Sequence, residues 1–365
     1  MKSINLFDLY SENKLIEKEF FKDFQKLYRK SDFTLGFQDG PVEDIENIFF
    51  KDIGRYAMGF SSGTAALHAA SFAIGLTSSD EVIVPANTFI ATATAPAFCG
   101  AKIIVADIDD ETLNINSKEI AKVISKKTKA IFAVNLYGNP VNYRELKQFN
   151  TKIIEDAAHS HGAMYNEKPS GSLGHLSAFS FFPNKVFGGI GDGGMLSYSN
   201  KKYLKPLKSF RNAGQSKSHW GKNLGNVYRL STTNALFLTK KRKIFSKLLN
   251  RRREIASMYD EGFKDCDGIK TQKIEKNSIS SYFCYVIRVK NRSKVQQKLS
   301  EAGVPTTVQY RYLVNEQPVF KEIFSKKTDT PVAYKVKKEI ISLPINYGLT
   351  NEQIEYIIQQ VLKAV

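Results

Sequence analysis

The chain of 365 residues reads as an α/β protein: a mostly parallel sheet flanked by helices, followed by a smaller α+β part. Three observations predict this. Short apolar runs alternate with helix-length segments from Glu81 to Asp156, and that alternation implies crossover connections and parallel pairing. Polar or Gly-rich turns follow the carboxyl ends of these runs, where open α/β sheets hold their ligands. After Ser199 the regular alternation stops, and a long helical stretch leads into mixed strands and helices.

In chain order, Leu15, Ile16, Phe20, Phe21, Phe24, Leu27 and Tyr28 fall at helical spacing and predict a helix over 11–30. A loop with Gly36 and Gly40 leads to a second helix over 42–50. Ser61-Ser62-Gly63-Thr64 then opens an Ala-rich helix over 65–74, with Gly75 as its C-cap. Such a small-residue turn at a helix start exposes backbone N–H groups and suits a phosphate. An ordinary Ser/Thr N-cap is the plainer reading of the same residues.

Strands are expected at 81–85, 102–107, 128–136, 152–156 and 178–182, with helices at 91–99, 117–124 and 143–149. The polar stretch 210–225, with Gly214, Gly221, Gly225, His219 and Trp220, reads as a long functional loop. A helix from Thr232 to about Tyr259 follows, bridging two domains at 1–240 and 241–365. The second holds a strand at 282–289, a helix at 294–302, a strand at 340–343 and a final helix at 351–362.

Composition narrows the function. The chain is 42% hydrophobic, enough for a large core, and contains no run of 18 apolar residues. The start, MKSINLFDLYSENK, lacks the apolar stretch of a secretory signal. Cys99, Cys266 and Cys284 are sparse and lack metal-ligand spacing, which suits a reducing cytoplasm and no metal. The net charge of +17 comes mainly from dispersed lysines. The densest cluster, Arg251-Arg252-Arg253, sits within a helical pattern, so nucleic acid is not expected as a partner.

The chemistry concentrates between Lys152 and Ser199. Asp156 ends one strand, and Lys185 follows another in a loop with Gly188, Gly189, Gly191, Gly193 and Gly194. Separate strands can bring these two side chains to one ligand. A buried lysine amine loses its proton and condenses with a carbonyl. A buried aspartate holds a pyridine nitrogen protonated. Together they meet the needs of pyridoxal phosphate (PLP).

SSGTAAL at 61–67, PANTFIATATA at 85–95, EDAAHSHGA at 155–163 and SFFPNKVFGGIGDGG at 180–194 stand in one order. Together they closely resemble the DegT/DnrJ/EryC1/StrS family of PLP-dependent sugar aminotransferases. RNAG at 211–214, RRREIASMYD at 251–260 and ISLPINYGLT at 341–350 are similar to that family as well. The resemblance implies the type I aminotransferase fold. It makes Lys185 the residue that binds the cofactor aldehyde, Asp156 the partner of the pyridine nitrogen and His159 a neighbour of the ring hydroxyl. Phe89 would stack on the ring, and Ser62, Gly63, Thr64 and Ser180 would hold the phosphate.

The family completes its site from a partner subunit with a Gly-x-Asn-x-Arg pattern. Here Arg229 fits, Val227 stands in the asparagine place, and Asn226 comes one position early. Arg229 and Tyr310 are the expected substrate contacts, and Asn226 an expected cofactor contact. The resemblance further implies a homodimer with shared sites, L-glutamate as amino donor and pyridoxamine phosphate as the intermediate cofactor form. The acceptor would be a nucleotide-linked keto-sugar. A lysine at 185 favours transamination, because family dehydratases carry histidine there. INLFDLYSENK and PNKVFGGIGDGG resemble the branch acting on C3 of dTDP-linked 3-keto-6-deoxy sugars. The alternatives are C4 amination of a UDP-, GDP- or dTDP-linked sugar, another type I PLP enzyme, or a regulatory protein that keeps the fold.

Overall fold

The computed structural model describes residues 3–34, 40–215, 220–221 and 223–365. Gly36 and His219 lie outside the described residues. The N-terminal pattern forms two helices, α1 (Leu9–Asn13) and α2 (Glu17–Lys30), separated by a turn. Asp8 caps α1 by accepting the Ser11 N–H. Next come α3 (Pro41–Ile53), β1 (Tyr56–Phe60), α4 (Gly63–Ala73), β2 (Glu81–Pro85), α5 (Ala91–Ala97) and β3 (Lys102–Ala106). The alternation continues through α6 (Ser117–Val123), β4 (Thr128–Val134), α7 (Tyr143–Leu146) and β5 (Lys152–Asp156). A two-stranded ribbon, β6 (Met164–Tyr165) and β7 (Lys168–Pro169), precedes β8 (Leu176–Ser180) and β9 (Gly194–Tyr198).

The seven-stranded sheet has the order β1-β9-β8-β5-β4-β2-β3. Strands β3, β2, β4, β5 and β8 run parallel, as the alternating pattern requires. Strand β9 runs antiparallel to both β8 and β1. The sequence reading misses β1 and β9, because their glycines mask the β pattern. It also places the 178–182 strand two residues late. The ladder ends at Ser180, and Phe182 is already exposed on the turn that carries Lys185.

The C-terminal part contains α8 (Leu204–Arg211), α9 (Thr232–Phe263), β10 (Ile269–Thr271) and β11 (Ser278–Ile279), then β12 (Tyr285–Val289) and α10 (Arg292–Glu301). It ends with α11 (Pro331–Glu339), β13 (Ile340–Leu343) and α12 (Asn351–Ala364). A three-stranded sheet, β10-β12-β13, packs with α9, α10 and α12 around its own core of Tyr259, Ile287, Leu299, Ile341 and Ile357. Helix α9 also contributes Ala235, Leu238, Phe245 and Leu249 to the larger core beside the main sheet. Among the described residues no helix is long and apolar enough to cross a membrane.

One buried ion pair ties the N-terminus to α9. Glu12, 3% exposed, accepts from Lys241 Nζ at 3.0 Å, and Arg252 stands 3.8 Å from its other oxygen. Burial lowers the Lys241 amine below its ordinary range, and Glu12 opposes that fall. Removing one member of such a pair leaves an uncompensated charge. Glu12→Ala is therefore expected to cost about 3–5 kcal/mol, read as a shift in the urea midpoint. An unchanged midpoint would mean that water already reaches Lys241.

Candidate active site

One cavity of about 420 Å³ opens beyond the carboxyl ends of the parallel strands. That is large enough for a small cofactor with part of a substrate. Its first wall is the end of β5. Alternation along a strand sends Glu155 and Asp156 to opposite faces, and only Asp156 reaches the cavity. Glu155 is instead fully buried behind the sheet. It accepts from the N–H groups of Gly171, Leu173 and Gly174 and from Ser170 and Ser177, which fixes the loop between β7 and β8.

Asp156 is 5% exposed. Its Oδ2 accepts from Thr92 Oγ1 at 2.8 Å, and its Oδ1 accepts from the Ala158 N–H at 3.2 Å. Thr92 pairs in turn with Thr88 one helical turn away. Burial pushes the Asp156 carboxyl above the ordinary aspartate range, against the opposing pull of those hydrogen bonds and of the Lys185 charge. A carboxylate held there without a full counter-charge suits a protonated ring nitrogen.

Lys185 sits in the turn after β8, where its N–H donates to the Phe182 carbonyl at 2.8 Å. Its ammonium end lies over the Phe283 ring, 4.4 Å from the centroid. Burial brings this amine down to about 8, while Asp156 opposes part of the fall. A depressed lysine is neutral above its pKa, and the neutral amine is the form that attacks a carbonyl. The rate at which the apo-protein takes up PLP is therefore expected to rise with pH through about 8 and then level off. Stopped-flow absorbance across a pH series measures this. A rate still climbing toward the ~10.4 of free lysine would place the amine in water.

The third wall is the start of α4. Ser62 caps the helix by accepting the Ala65 N–H at 3.0 Å, leaving the first-turn N–H groups of Gly63 and Thr64 at the cavity. A Cβ on Gly63 would stand 2.8 Å from the Ser180 Cβ, so bare backbone is required there. Phe89, 52% exposed, projects from the loop after β2 with its ring centroid 5.9 Å from that of Tyr310. His159 is 4% exposed and stacks on Phe283 at 4.1 Å. These residues fit PLP: an amine for its aldehyde, a buried acid for its nitrogen, and a helix start with a glycine cradle for its phosphate.

The model of the DegT/DnrJ/EryC1/StrS aminotransferase family matches residues 14–362. The chain belongs to that family. This aminotransferase is a PLP-dependent sugar aminotransferase. It is 33% identical to the UDP-2-acetamido-2-deoxy-3-oxo-D-glucuronate aminotransferase of Pseudomonas aeruginosa, over 97% of this chain and 98% of the relative. It is 32% identical to the dTDP-3-amino-3,6-dideoxy-alpha-D-galactopyranose transaminase of Aneurinibacillus thermoaerophilus, over 98% of each chain. Among solved structures, it resembles S. venezuelae DesV in complex with a ketimine intermediate. That match has a TM-score of 0.94 and 25% identity, and covers 100% of this chain and 98% of the other.

The aminotransferase gathers Ser62, Gly63, Thr64, Phe89, Asp156, His159, Ser180, Lys185 and Tyr310 around the one cavity. Asn226 and Arg229 are not among its lining residues. Arg229 donates to Asn212 Oδ1 at 2.7 Å, and its buried Nε has no partner among the described residues. Asn226 is exposed, its Nδ2 donating to the Tyr228 hydroxyl at 3.3 Å. Val227 is 57% exposed, pointing away from the fold. Sequence reasoning missed Thr92 and Phe283. The i, i+4 spacing of Thr88 and Thr92 could have flagged the first. Phe283 carries no local signal, since it arrives from the distant C-terminal part.

Proposed function

We propose that this enzyme moves the amino group of L-glutamate to the C3 carbonyl of a nucleotide-linked keto-deoxysugar. The first substrate to test is a dTDP-linked 3-keto-6-deoxyhexose, a precursor of deoxyaminosugars in a glycan. The observation that carries the reaction is the pairing of a depressed Lys185 amine with a buried Asp156 carboxylate in one cavity above a helix start. The two relatives are named for a 3-oxo and a 3-amino sugar, which favours that carbon. The excess positive charge suits an anionic nucleoside diphosphate.

When bound, PLP supplies an electron-poor ring that accepts charge from the carbon losing its proton. Asp156 keeps a proton on the ring nitrogen. The N–H groups of Gly63 and Thr64, with the Ser180 hydroxyl, anchor the phosphate. The Lys185 amine would hold the cofactor's aldehyde and, when free, would serve as the base that carries the proton of the glutamate α-carbon. Phe89 and Phe283 limit water at the reacting face.

The enzyme works as a homodimer, with Arg229 and Asn226 serving the neighbouring copy's cavity. The Arg229 Nε, without a partner among the described residues, and the outward Asn226 support this reading. Mixing inactive Lys185→Ala and Arg229→Ala chains should restore activity in the mixed dimer; no restoration would put Arg229 in its own chain's site. For the substrate, purified 3-keto and 4-keto sugars on dTDP, UDP and GDP, with scyllo-inosose as control, are offered with glutamate. Turnover confined to the 4-keto sugars would move the assignment to C4.

A further inference from the structure

The glycine run after Lys185 is held from outside the loop. Residues 181–193 leave β8 and return to β9, with Lys185 between. The two ends close on each other. The Phe181 N–H donates to the Gly193 carbonyl at 2.7 Å, and the Gly189 N–H donates to the Phe181 carbonyl at 2.8 Å. Val186 and Phe187 are buried, with His161 stacked on Phe187 at 4.6 Å. Residues 188–193 offer little side chain for packing: four of the six are glycine, and Ile190 is exposed. A glycine backbone loses more freedom on ordering than any other, so this half of the loop needs polar anchors.

Asn234, buried in the first turn of α9, supplies them. Its Oδ1 accepts the Ile190 N–H at 3.1 Å, and its Nδ2 donates to the Gly191 carbonyl at 3.2 Å and the Asp192 carbonyl at 2.9 Å. A backbone N–H only donates and a carbonyl only accepts, so the amide has one orientation, with both donor hydrogens used. The glycines make room for it. A Cβ on Gly189 would stand 2.0 Å from Asn234 Oδ1, and one on Gly193 would stand 2.8 Å from its Nδ2.

We propose that Asn234 is a positioning residue of the aminotransferase: from the head of α9 it pins the glycine run and thereby sets the direction in which the loop delivers the Lys185 amine. Asn234 is not among the cavity-lining residues, whereas Lys185 and Asp192, at the two ends of the pinned stretch, are. The inference rests on the role of Lys185 proposed above.

The test combines exchange on the apo-protein with a double-mutant cycle. In Asn234→Ala, amide exchange over 188–193, read by mass spectrometry, should quicken about tenfold, with the strands of the main sheet protected as in the wild type. PLP uptake and the limiting single-turnover rate with L-glutamate should each fall about tenfold, at an unchanged half-saturating glutamate concentration. Gly189→Ala alone should reproduce both losses, because its methyl displaces the amide. Added to Asn234→Ala, it should cost no more than about twofold, since its clash is gone. Wild-type exchange over 188–193 overturns the proposal, as does faster exchange with undiminished PLP uptake and turnover, or full additivity in the double variant. Should Asn234→Ala fail to fold, Gly189→Ala decides by the same readouts. If borohydride failed to trap PLP on wild-type Lys185, the functional reading would fall, while the exchange arm would still decide whether Asn234 holds the loop.

Discussion

Lys185→Ala is expected to lower turnover by a factor on the order of 10⁵, with the fold retained. The amine is both the attachment point for the aldehyde and the group that carries the proton between two carbons, so no neighbour can take over its work. Asp156, His159 and Asp192 line the same cavity, but none of them is an amine that can condense with an aldehyde. Folding should survive because the lysine sits in a turn after the sheet and its charge is costly there, as the fall to about 8 indicates. Borohydride treatment followed by peptide mass mapping should label Lys185 in the wild type and nothing in the variant. Turnover within tenfold of wild type would remove Lys185 from the chemistry.

Asp156→Asn is expected to separate activity from stability. The amide is nearly the same size; its oxygen accepts the Ala158 N–H while its NH2 donates to the Thr92 hydroxyl, which can turn to accept, but it cannot balance a positive ring nitrogen. Losing a buried charge partner costs about 3–5 kcal/mol, so turnover should fall by roughly 10²–10⁴. Stability should move the other way. Folding raises this carboxyl's pKa, so the ionised form costs free energy at every pH above the folded value, and that cost vanishes below the unfolded value. At pH 7 the apo-variant should melt no lower than the wild type. Calorimetry and initial rates on the same samples check both; a lower Tm with undiminished turnover would make Asp156 a structural residue.

The site divides by where its residues come from. Lys185, Asp156 and the Ser62–Thr64 turn lie in short motifs at strand ends and a helix start, places that local pattern can mark. Thr92, Phe283 and Asn234 act through contacts made only after the chain has folded. The same contrast separates Glu155 from Asp156. Adjacent in sequence, they read as an equal pair, and only the sheet's two faces assign one to the loop behind it and the other to the cavity.

By itself the sequence determined the order of the parallel strands' segments, the helix start suited to phosphate, and the lysine and aspartate able to serve one cofactor. These follow from local periodicity, capping and residue chemistry, which act over a few residues. Tertiary structure alone decided the antiparallel entry of β9 beside β1, the depressed amine at 185 and the contact of His159 with Tyr310. Each of those depends on burial or on a partner more than 100 residues away along the chain, and no local pattern encodes such a neighbour.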